Sequence, residues 1–189
     1  MANMRFLSKV SGRYAVVSSD TPYDQICQEI VGDDELFEHV VHYVSGDPEG
    51  FNDYPESTKK LEAILAKLPP LRPGQHIEFS RYLYRGESKR REFENTRSVE
   101  SWTPNKDTAL DFAKNVAASV VQRTSGPVQG VALSDLAYWG SQLRGKAIYA
   151  GDQAEWLVLR PKNVKTVYSE ETGWVHGEEP PRRSRSFNR

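Results

Sequence analysis

The sequence predicts an α+β fold, with a helical N-terminal layer ahead of antiparallel sheets. Three observations carry this. The first 68 residues hold three apolar stripes at helical spacing. The run Leu68-Pro69-Pro70-Leu71-Arg72-Pro73-Gly74 then ends that periodicity, because proline cannot continue a helix and pushes the residue before it towards extended geometry. Beyond it come short β-prone runs with few helices between them, which suits antiparallel pairing. With 189 residues, one compact domain is expected, read as a helical layer over 1–68, a core over 75–172 and a tail over 177–189.

The elements follow in order. Tyr14 to Val17 is a candidate short strand or arm. Asp20-Thr21-Pro22 starts a helix, with proline just inside the cap, and Tyr23, Ile26, Cys27 and Ile30 line one face. Gly32-Asp33-Asp34 ends it and caps a second helix, whose stripe is Leu36, Phe37, Val40, Val41 and Val44. Gly46 to Gly50 breaks that helix, and Pro55-Glu56-Ser57-Thr58 opens a third, with Leu61, Ile64, Leu65 and Leu68 on one side. After the proline break, Tyr82-Leu83-Tyr84 reads as a strand, Glu87 to Glu94 as a charged loop and Phe93 to Trp102 as extended. Asn105 or Asp107 caps a helix expected over about Thr108 to Val121, with Leu110, Phe112, Ala113, Val116 and Ala117 apolar. Pro127 to Leu133 reads as a strand, and Ser134-Asp135 as the cap of a short helix to Leu143. Trp156 to Leu159 and Val164 to Tyr168 are strands around a Pro161-Lys162-Asn163 turn. The tail, rich in proline, arginine and serine, has too few apolar residues to join a core and is expected to be disordered.

Composition removes several classes of function. The net charge is −1, so no global field draws the chain to nucleic acid or to an acidic membrane. No apolar run approaches the length of a membrane span, and no secretory signal is expected at Met1 to Arg5. The single cysteine, Cys27, excludes an internal disulfide framework and points to a reducing cytoplasm. Its apolar neighbours make it a buried structural thiol. The four histidines are scattered, with no metal-ligand spacing, so no metal is expected.

The stretch with most chemical content is Gly151-Asp152-Gln153-Ala154-Glu155, directly ahead of the apolar run Trp156-Leu157-Val158-Leu159. In a regular strand Gln153 and Glu155 share a face. A carboxylate at the head of a buried strand is costly unless it is solvated or has a task. Upstream lie Tyr82-Leu83-Tyr84-Arg85-Gly86 and Ser101-Trp102-Thr103, the latter leading to Ala109-Leu110-Asp111-Phe112-Ala113. In this order, the three segments resemble the Arg–Ser–Glu class of mono-ADP-ribosyltransferases, which have an aromatic-rich strand ending in Arg, a Ser-x-Thr strand leading into an Ala-x-x-Phe-Ala helix, and a Glu/Gln-x-Glu motif. The resemblance covers residues 80–170 and looks most like the small phage-encoded members that modify host proteins.

That resemblance implies an ADP-ribosyltransferase-like fold and transfer of ADP-ribose from NAD, the substrate, to a macromolecular acceptor with release of nicotinamide. The acceptor implied is a host protein, with nucleic acid as an alternative. No metal, no membrane, a monomer and a cytoplasmic location (the host cytoplasm for a phage product) go with it. Glu155 would stabilise the oxocarbenium-like transition state and hydrogen-bond the ribose. Arg85 would bind the NAD phosphates through its fixed fork of donors, unless it is merely paired with Glu87. Gly86 would allow close approach of the nicotinamide amide to the backbone. Ser101 would hold Glu155, with Thr103 on the same face, whereas Trp102 would point into the core. Phe112 would pack by the nicotinamide ring, or else be an ordinary core residue. Gln153 can orient an acceptor but cannot act as a base, which in the family goes with amide or guanine acceptors rather than arginine. Asp152 and Tyr149 are further candidates for contact with the acceptor. The rival expectations are an inactive binding module of the same fold, and a nucleic-acid binder using Arg81 to Arg91 and Arg182, Arg183, Arg185 and Arg189.

Overall fold

The structure is a computed structural model describing residues 4–6, 16–18, 21–44, 54–88, 98–114, 118–145 and 154–178. Strands β1 (Met4–Phe6) and β2 (Val16–Ser18) form a small antiparallel pair. Helix α1 (Pro22–Gly32) starts as the sequence dictates. Thr21 is its N-cap, its hydroxyl accepts from Asp24 N at 3.2 Å, and Pro22 fills the first helical position. Helix α2 (Asp34–Val44) has its cap in Asp33, whose Oδ1 accepts from Leu36 N at 2.9 Å. Helix α3 (Pro55–Leu65) again opens on proline. The apolar stripes of these helices, from Ile26 to Leu68, bury against one another and against Val99, Val131, Leu133, Leu136 and Leu157. Cys27 sits fully buried among them.

All sheet pairings are antiparallel. Strand β3 (Leu83–Ser88) pairs with β5 (Ser119–Thr124), which pairs with β8 (Val164–Ser169) and through it with β9 (Gly173–Trp174). The second sheet has the order β4 (Val99–Trp102), β7 (Trp156–Leu159), β6 (Gly130–Ala132). The two sheets meet at a bridge where Tyr84 and Thr103 exchange backbone hydrogen bonds of 2.7 and 2.8 Å. Between them lies a core of Phe79, Leu83, Trp102, Val128, Ala132, Trp156 and Val158. Each fully buried tryptophan removes about 200 Å² from water, an upper figure of about 5 kcal/mol. Helix α4 (Lys106–Lys114) covers the first sheet through Ala109, Leu110 and Ala113 over Tyr84, Val121 and Val167, and α5 (Leu133–Arg144) packs on α1.

Several boundaries differ from expectation. The helix expected over 108–121 ends at Lys114, and Ser119 to Val121 belong to β5, one of the two inner strands of the four-stranded sheet. Ala118, with φ 54°, stands immediately before that strand in a conformation that a helix cannot contain. The alanine-rich stretch hid the change of element. Glu87 and Ser88 continue β3 instead of starting a loop. Leu133 begins α5 rather than ending β6, and the N-cap position is Ala132, so Ser134 and Asp135 fall in the first turn. Strand β9 had no signal. Tyr14, Gly46 to Gly50, Lys89 to Phe93, Val116, Ala117 and residues 179–189 lie outside the described residues. Among the described residues, no helix is long and apolar enough to cross a membrane.

Candidate functional site

Strands β3 and β4 and the residue directly ahead of β7 bring Arg85, Ser101 and Glu155 together. Ser101 on β4 is opposite Leu157 on β7, so Glu155, two residues earlier, is its diagonal neighbour on the same face. The Ser101 hydroxyl donates a hydrogen bond to Glu155 Oε1. Arg85 reaches over from β3, and its Nη1 donates to the Ser101 carbonyl oxygen at 2.9 Å. The Tyr84–Thr103 bridge is what brings these strands side by side, because it locks β3 to the end of β4. Glu155 is held from behind as well, its carbonyl oxygen accepting from Leu133 N at 2.8 Å.

The electrostatics are those of a partly desolvated carboxyl beside a largely covered cation. Burial pushes Glu155 up from 4.5 to about 7, with the Arg85 charge pulling the other way. Burial works against the Arg85 charge too, but the phenol of Tyr43 and the carboxylates of Glu100 and Glu87 outweigh it and hold the guanidinium above its ordinary value. Glu87 lies two residues along the same strand and accepts from Arg85 Nε at 3.2 Å, with the two side chains only 13% and 10% exposed. Glu100 is buried on the opposite face of β4, where its Oε2 accepts from the Trp102 indole at 3.2 Å and Arg160 stands 4.0 Å away.

The other residues singled out by sequence take varied places. Gly86 is explained by packing. A Cβ there would overlap the Ala109 carbonyl oxygen and lie 2.7 Å from Ala113 N, so glycine is what lets α4 lie directly on β3. Thr103 is buried, and its hydroxyl accepts from Asn105 N at 3.1 Å in the turn into α4, while Asn105 Oδ1 accepts from Asp107 N and Thr108 N. Trp102 is buried, as its alternation with Ser101 predicts. Phe112 is not a core residue: it is 50% exposed, because α4 turns Ala109, Leu110 and Ala113 to the sheet instead. Gln153, Asp152 and Tyr149 lie outside the described residues. The strand alternation meant to align Gln153 with Glu155 does not run through Ala154, whose φ of 47° is left-handed. A non-glycine residue there costs about 1–2 kcal/mol, a local strain directly beside the carboxylate.

Sequence reasoning missed Tyr43 and Glu100 altogether and treated Glu87 only as a possible partner for Arg85. A signal existed for Glu100, since Val99-Glu100-Ser101-Trp102 puts a carboxylate on the face that Trp102 buries. A second polar cluster lies behind Trp156. Asp135 accepts from Tyr23 Oη at 2.9 Å and from His76 Nε2 at 2.8 Å, and His76 Nδ1 accepts from Glu78 N at 3.2 Å. The His76 ring meets Trp156 edge-on at 4.7 Å. Burial pushes the Glu78 carboxyl up, although Ser134 donates to its Oε1 at 2.9 Å. This cluster ties the 72–80 turn region to α1 and α5. Among the described residues, no group of three or more His, Cys, Asp and Glu side chains is placed to hold a metal ion. Compared with family models, with curated proteins and with solved structures, the chain has no significant match.

Proposed function

We propose that the chain is an NAD-dependent mono-ADP-ribosyltransferase with an ADP-ribosyltransferase-like fold. The observation that carries this reading is the convergence of Arg85 on β3, Ser101 on β4 and Glu155 directly ahead of β7, with Ser101 hydrogen-bonded to both of the others. A partly desolvated carboxyl next to a largely covered guanidinium suits a ligand that is anionic at one end and becomes cationic at the other. NAD is such a ligand, with its pyrophosphate and its reacting ribose.

In this reading Arg85 takes phosphate oxygens and Ser101 fixes the Glu155 rotamer. The ionised Glu155 then faces the ribose as the C1′–nitrogen bond breaks and the electron pair leaves with nicotinamide. The acceptor forms the new bond to C1′ and gives up a proton. A carboxylate whose pKa is about 7 is suited to receive that proton at neutral pH. Losing one such preorganised group costs on the order of 10²–10³ in rate. Gln153 supplies hydrogen bonding without basicity, so an amide or nucleobase acceptor is preferred over arginine. The expected setting is a cytoplasm, the host's for a phage product, with the protein acting as a monomer.

The test is incubation of cell lysate with NAD labelled in its adenylate half, using the wild type and Glu155→Gln. Labelled macromolecule and free nicotinamide with the wild type alone support the reading. The absence of both overturns it and leaves a binding module, a role that the Arg85–Glu87 ion pair also permits.

A further inference from the structure

The guanidinium of Arg85 has five N–H donors in a rigid plane. Two are held from the protein side: Nε by Glu87 Oε2 at 3.2 Å, and one hydrogen of Nη1 by the Ser101 carbonyl at 2.9 Å. The Glu87 contact engages a single donor instead of closing a two-pronged pair. Towards the described residues, Nη2 and the second Nη1 hydrogen keep their capacity, which leaves guanidinium donors for the oxygens of a phosphate.

From this we infer that Glu87 is a positioning residue that holds Arg85 as a phosphate-binding fork and moderates its charge towards Glu155. This rests on the proposed transferase reading and adds to it a residue that the Arg, Ser and Glu motifs do not contain. Two effects separate. As an acceptor, Glu87 fixes the plane of the guanidinium. As an anion, it offsets part of the Arg85 charge, the same charge that works to keep Glu155 ionised. Among the described residues, the other charged or titratable groups facing Arg85 are Glu100 on β4 and Tyr43 on α2, with Glu155 directly ahead of β7. On β5, the residues opposite Arg85 and Glu87 are Gln122 and Val120, which carry no charge. Glu87 is thus the only anion of strand β3 or β5 in contact with Arg85 among the described residues.

Two variants divide the effects. Glu87→Gln keeps an oxygen for Nε and loses the charge, so KM for NAD stays within about twofold while the acid limb of kcat/KM moves down by about one pH unit. Glu87→Ala loses both, so KM for NAD rises about tenfold or more as the fork swings free, with the same movement of the limb. A purely structural ion pair would lower stability in both variants without moving the limb. The direct readout is the carboxyl titration of Glu155 by carbon-detected NMR in protein labelled at glutamate, for the wild type and Glu87→Gln. A lower midpoint in the variant supports the inference, and an unchanged midpoint overturns it. Wild-type KM for NAD in Glu87→Ala overturns the orienting role. The titration needs no turnover, so a protein that never cleaves NAD but shows the fall in midpoint fails the transferase reading while keeping the coupling of Glu87 to Glu155.

Discussion

Replacing Glu155 by glutamine should stabilise the protein at alkaline pH while removing the proposed transferase activity. The carboxyl has a pKa of 4.5 when solvated and about 7 in the folded chain, mainly because burial disfavours its charge. The folded state therefore holds a proton that the unfolded state releases, and the linkage runs against the usual carboxylate case. Below pH 4.5 both states are protonated and there is no penalty. Between 4.5 and 7 the penalty grows, and above 7 it is complete. At about 1.4 kcal/mol per pH unit this amounts to about 3 kcal/mol, and water at the partly exposed edge of the side chain reduces it to about 2 kcal/mol. Glutamine still accepts from the Ser101 hydroxyl and has no charge to desolvate. Whatever its extra N–H groups cost does not depend on pH, so the quantity to measure is how the stability difference changes with pH. For a chain of this size, about 2 kcal/mol is about 5 °C in melting temperature. Thermal unfolding of both proteins at pH 4.5 and pH 8.5 should show the variant gaining about that much relative to the wild type between the two. An equal difference at both pH values would refute the claim that Glu155 carries the cost of a buried charge.

Three further outcomes are expected. If the ionised Glu155 is the working form, kcat/KM for NAD cleavage should rise through an acid limb centred near pH 7, the value to which burial raises it; a limb at pH 4 to 5 would mean that the carboxylate is solvated. Gly86→Ala forces a methyl group into the α4 backbone and should cost about 3 kcal/mol by chemical denaturation, whereas a loss under about 0.5 kcal/mol would show that α4 does not rest on β3. Asp135→Ala leaves Tyr23 Oη and His76 Nε2 without the acceptor they share and should cost about 3 kcal/mol; denaturation curves matching the wild type would mean that water replaces the carboxylate.

Local chemistry made much of the fold legible in the sequence. The Thr21-Pro22 and Asp33 caps, the apolar stripes of the first three helices and the alternation at Ser101-Trp102 each depend on residues within a turn or two. These determined the starts of α1 and α2, the burial of Cys27 and Trp102, and the α+β class with antiparallel pairing. Where local preference and long-range pairing disagreed, the reading failed. Ser119-Val120-Val121 follows an alanine-rich helix in sequence, yet it forms an inner strand because β3 and β8 supply hydrogen-bond partners on both sides.

The site divides along the same line. Arg85, Ser101 and Glu155 were legible only as an ordered trio of motifs that resembles a known family, because each motif alone is weak and a carboxylate heading a strand reads by itself as a solvated edge residue. Only the tertiary structure decided what surrounds them. Gly86 is glycine because a helix lies against it, a contact with residues more than twenty positions away. The raised pKa of Glu155 comes from burial, and burial works against the Arg85 charge while Tyr43, Glu100 and Glu87, which arrive on α2, β4 and β3, uphold it. Desolvation and charge coupling act through space over a few ångströms, and distance along the chain carries no record of them.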